Sequence, residues 1–161
     1  MNSPAPAAPS AAFDKARNGL WVSLQKHLHT IYAAEKEFRD ATSFIETFPF
    51  AAASLTPQQL LDYQQQRRLL RDLFVDETTQ LDSLVKAIRL KSYQEDEKKL
   101  LLLMILGYMD VAEAVFALLD SHRPIKLEPD EELAEATGRF ARVRNFVRLN
   151  IKGLANLLPR L

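Results

Sequence analysis

Proline is excluded from three long stretches of this chain, and that exclusion limits its fold more than any other feature. All eight prolines (Pro4, Pro6, Pro9, Pro49, Pro57, Pro124, Pro129, Pro159) fall at the ends of apolar-periodic segments or in the gaps between them. All four glycines (Gly19, Gly107, Gly138, Gly153) fall inside those segments. Proline lacks an amide donor and clashes with the preceding turn of a helix, so these windows predict long helices bounded by proline.

The first segment is expected to run from Ser10, as N-cap, to about Thr47. Its apolar positions step by three and four through Phe13, Ala16, Leu20, Leu24, His27, Ile31, Ala34, Phe38, Ala41 and Ile45, which is one buried helical stripe. The second has the strongest start signal. Thr56 is the N-cap, Pro57 takes the first helical position, Gln59 completes a capping box, and Leu55 with Leu60 forms a hydrophobic staple. Its stripe reads Tyr63, Arg67, Leu70, Phe74, Glu77, Leu81, Leu84 and Ile88.

No proline or glycine separates the second segment from the third, yet the charges predict a break near Ser92. Lys86, Arg89 and Lys91 close one segment while Glu95, Asp96 and Glu97 open the next, matching the helix dipole at both ends. Ser92 with Glu95 is the expected capping box. An unbroken rod over this region would reach roughly 100 Å and would need another chain to pair with. The fourth segment starts at Pro129 with Asp130, Glu131 and Glu132 in its first turn. It buries Leu133, Ala136, Phe140, Val143, Val147, Ile151, Leu154 and Leu158, and ends at Pro159.

The expected fold is therefore all-α: an antiparallel up-down-up-down four-helix bundle with long helices at about 10–47, 57–91, 93–122 and 129–158. Residues 1–9 read as a flexible Pro/Ala-rich arm, and 10–161 as a single helical-bundle domain. At 161 residues a core can form without disulfides or metal.

Charge and composition exclude several function classes. Lys and Arg number 21 and so do Asp and Glu, so no net field gathers nucleic acid or anionic membrane. The absence of cysteine removes thiolate nucleophiles and cysteine zinc sites, and fits a reducing, cytoplasmic setting. The first dozen residues lack the basic and apolar regions of a secretory signal. None of His27, His29 and His122 has a glutamate three residues before it, as a di-iron bundle requires. No phosphate loop, dinucleotide fingerprint or Ser/His/Asp arrangement can be assembled, so neither enzyme activity nor a cofactor is expected.

The third segment is the functional lead. Residues 100–119 hold only two charges, Asp110 and Glu113. An acid near the centre of a membrane span costs about 2.5–3.5 kcal/mol, so a span is not expected. Asp110, Glu113 and Asp120 define a polar arc, and the same arc one turn earlier is filled by Leu102, Leu103 and Leu106, with Met109 at its edge. A helix apolar on all sides must be covered on all sides, either by the loop around Phe48 to Leu55 or the N-terminal arm of the same chain, or by a second copy or another protein. Gly107 in this stretch would admit a close neighbour, within the chain or across a dimer. On the fourth segment Arg139, Arg142, Arg144, Arg148 and Lys152 follow an acidic start, and Phe146 and Leu149 lie off the core face.

These features predict a non-enzymatic protein–protein interaction module: an adaptor, an export-chaperone-like protein or a scaffold subunit. It would bind a helical partner or itself, with a homodimer favoured, through Leu102, Leu103, Leu106, Met109, Arg142, Phe146 and Leu149. Two alternatives remain: a ligand- or metal-binding bundle using Glu77, His27 and Asp110, and a membrane-peripheral helical protein.

Overall fold

The computed structural model describes residues 11–46, 55–120 and 129–152. Among these the chain is all-helical, with five α-helices of which four are long. They are α1 (Ala11–Ala41), α2 (Ser43–Glu46), α3 (Pro57–Leu90), α4 (Glu95–Phe116) and α5 (Glu131–Asn150), with a 3-10 turn at Ala117–Asp120 after α4. The expected N-cap at Ser10, the helix end at Thr47 and the positions Leu154, Leu158 and Pro159 lie outside the described residues.

The first segment is interrupted where one helix was expected. Thr42 is buried, and its hydroxyl donates to the Phe38 carbonyl at 2.6 Å. Its own carbonyl accepts from the Ile45 amide at 2.9 Å, a three-residue step that starts α2 afresh. The stripe still holds across the break, because Phe13, Leu20, Leu24, Ile31, Phe38 and Ile45 are all buried.

α3 starts as its sequence predicts. The Gln59 amide donates to Thr56 Oγ1 at 3.1 Å and the Thr56 amide donates to Gln59 Oε1 at 3.0 Å. α3 and α4 are separate helices, with the break at Lys91–Gln94. The cap, however, is Gln94 with Glu97, two residues beyond the expected Ser92 and Glu95: the Gln94 amide donates to Glu97 Oε1 at 3.1 Å. Lys98 holds the corner by donating to the Arg89 carbonyl at 3.3 Å, which answers an orphan acceptor at the end of α3.

At the start of α5 the cap is Asp130, so Pro129 precedes the helix instead of beginning it. Asp130 Oδ1 accepts from the Leu133 amide at 3.0 Å, and Oδ2 accepts from Arg71 Nη1 of α3 at 3.1 Å. One carboxylate thus ends a helix and fastens it to a neighbour.

Helix directions follow from side-chain pairs. Phe38 lies against Tyr63, and His27 against Glu77, so α1 and α3 run opposite ways. Tyr108 reaches Glu77 while Phe116 stacks on Phe74, so α3 and α4 are also opposed. Arg71 meets Asp130 and Arg89 lies over Phe146, so α5 runs parallel to α3. α1 and α5 each pack on both α3 and α4, and do not approach one another among the described residues. The central pair is therefore α3 with α4. α1 and α5 flank it on opposite sides, which leaves the outer side of α4 between them.

Candidate functional site

Two features stand out within this frame: a buried carboxylate shared by three helices, and a half-open apolar face on α4.

The carboxylate is Glu77, only 4% exposed in the middle of α3. His27 Nδ1 of α1 stands 2.8 Å from its Oε2, and the Tyr108 hydroxyl of α4 donates to the same oxygen. A buried carboxylate without partners would cost several kcal/mol, and these two donors meet that cost. Burial, and then the carboxylate beside it, push the Tyr108 phenol well above its ordinary 10.0. Asp110 does not join this cluster. It accepts from Arg144 of α5 at 2.7 Å, and Glu113 pairs with the same guanidinium. The expected ligand set of Glu77, His27 and Asp110 is therefore not assembled. Among the described residues no group of His, Asp and Glu is gathered for a metal ion.

Arg67, on the same stripe, is half-buried, and burial raises the nearby Tyr63 phenol above 10.0 against the opposing influence of the Arg67 charge. Its placement is that of a side chain at the margin of the core.

The predicted contact residues divide. Leu102 (3% exposed) and Met109 (0%) are core side chains of the monomer and cannot be surface anchors. The helical turn carries them inward with Ile105 and Ala112, which are also buried. Leu103 and Leu106 are half-buried. Arg142 is exposed, Phe146 is half-buried beneath the Arg89 guanidinium 4.6 Å from its ring, and Leu149 is 61% exposed. Phe146 thus belongs to the α3–α5 seam, away from the outer side of α4, so the seven residues do not form one patch.

The face that α4 does leave open was partly missed. Leu100, Met104, Val111 and Leu118 are only partly buried, and Gly107 and Ala114 are exposed. Their spacing of four, three, four, three and four puts them within about 80° of one another on the helix. That repeat was readable in the sequence but was hidden there by equally apolar residues on every other face. The 18-residue apolar window in Glu95–Asp120 has a mean hydropathy of 2.0 and is only 44% buried. A Cβ built on Gly107 meets nothing within 4 Å among the described residues, so none of these requires glycine there.

Against family models, curated proteins and solved structures the chain has no match.

Proposed function

We propose that this protein is a non-enzymatic, cytoplasmic interaction module whose working surface is the outer face of α4. Its helices would form an up-down-up-down four-helix bundle with α3 and α4 as the close central pair. Leu103 borders the surface, and Leu100, Met104, Gly107, Val111, Ala114 and Leu118 run along it. The supporting observation is that a helix this apolar keeps less than half of its window buried. Contiguous apolar surface of this kind on a soluble domain marks a place where another surface docks. An apolar helix laid along the strip is the partner geometry that fits, with flanking charges setting its orientation.

A photo-reactive residue placed at Leu103 or Ala114 in the full chain tests the reading inside cells. Expected are protein adducts from both sites and none from Lys15 on the exposed side of α1. Adducts from neither site would overturn it. A lipid-facing role draws on the same strip, and flotation of the purified chain with vesicles at physiological salt would favour that alternative instead.

A further inference from the structure

Resting on that reading, we infer that the occupant of the α4 face is a second copy of this chain, paired antiparallel about a two-fold axis near Met109. The argument begins with the order of residue sizes along the strip. In the coiled-coil repeat, Met104, Val111 and Leu118 occupy one set of positions, and Leu100, Gly107 and Ala114 the other. Antiparallel helices place one set of one chain opposite the other set of its partner. With the axis near 109, Met104 faces Ala114 of the second copy, Val111 faces Gly107, and Leu118 faces Leu100. Each large side chain at the centre thus meets a small one, and the pattern is its own complement, as an isologous interface demands.

The glycine supports the same geometry. Gly in a helix interior costs about 1 kcal/mol relative to Ala. The space around Gly107 is open among the described residues, and in the pair Val111 of the second copy fills it. The strip itself carries no charge. The nearest acid, Asp110, is held by Arg144 at 2.7 Å, so the two-fold does not set bare carboxylates against each other.

α1 extends the surface. Leu20 lies beside Leu101, and His27 against Tyr108, so α1 and α4 run parallel in a constant register. Ala16 and Ser23 line a cavity with Leu84, Ala87 and Ile88 of α3, and Trp21, Leu28 and Tyr32 lie on the other edge of the buried stripe of α1. Trp21 is 58% exposed and Tyr32 is 50% exposed, and in this register they lie level with Leu102 and Glu113. From Leu100 to Leu118 the helix is about 27 Å long, and a strip roughly 10 Å wide gives about 270 Å². The two aromatics add roughly 250 Å². Two copies would therefore bury about 1,000 Å², which reaches the lower bound of a specific interface and corresponds to a weak, reversible dimer.

Light scattering of the purified full chain over a range of concentrations, with cysteine trapping, tests this. Expected is a dimer that Gly107→Leu weakens by about tenfold or more, with helicity maintained because the site is open among the described residues. In this cysteine-free chain, Met104→Cys with Ala114→Cys should oxidise to a covalent dimer, and Ala114→Cys alone should not. A native chain that stays monomeric at all concentrations overturns the inference, while adducts at Leu103 to a different protein would still uphold the docking face. A dimer that Ala114→Cys alone can trap, or that Gly107→Leu leaves intact, overturns the antiparallel pairing.

Discussion

His27 of α1 stands with Nδ1 2.8 Å from the carboxylate of Glu77 of α3, and that carboxylate also accepts the Tyr108 hydroxyl of α4. Three helices therefore converge on one buried acid. Tyr108→Phe is expected to cost about 1.5–3 kcal/mol, as for a hydrogen bond to a charged group. Glu77→Leu should cost more, because it strands both donors. The double variant should cost clearly less than the sum of the two singles. Urea unfolding of the four proteins measures the coupling, and strict additivity would mean that the contact is not energetic.

The phenols of Tyr63 and Tyr108 are both raised by burial above 10.0. Below that value they are neutral in the folded and the unfolded chain alike. Above it the unfolded chain releases protons that the fold retains, so stability is full below pH 10 and falls as pH rises further. Each phenol contributes a slope of about 1.4 kcal/mol per pH unit. Chemical denaturation between pH 9 and 11 should show a shallower loss in Tyr108→Phe than in the native chain. An equal slope in the two would contradict the assignment.

Arg144 clasps Asp110 and Glu113 of α4 and lies 5.5 Å from the Phe140 ring centroid on its own helix. Its side chain is only 11% exposed, but the two carboxylates are 60% and 58% exposed, so water screens much of the attraction. Arg144→Ala is expected to cost about 1–2 kcal/mol, part of it from the aromatic contact. High salt should narrow the gap between the variant and the native chain without closing it. A variant as stable as the native protein at low salt would show that α5 docks through its apolar face alone.

Gly19 lies on an exposed turn of α1, and a Cβ built there meets nothing within 4 Å. Gly19→Ala should therefore stabilise the protein by about 0.5–1 kcal/mol, through helix propensity and a less disordered unfolded chain. Calorimetry should find the melting temperature raised by about 1–4 °C. A lowered value would mean that the glycine serves a contact outside the monomer.

Local rules made the elements legible. The Thr56–Gln59 box, the charge reversal around Ser92 and the three–four spacing of Phe13 through Ile45 each depend on neighbours within a turn or two. The same rules put Glu77 and His27 on buried stripes. They could not pair them with Tyr108, because that meeting is set by how three helices align over their whole lengths. Nor could they separate Leu102 and Met109 from Leu103 and Leu106. When a helix is apolar around its full circumference, its own periodicity carries no direction. Only the positions of α1, α3 and α5 around α4 decide which leucines are enclosed and which strip is left to meet another surface.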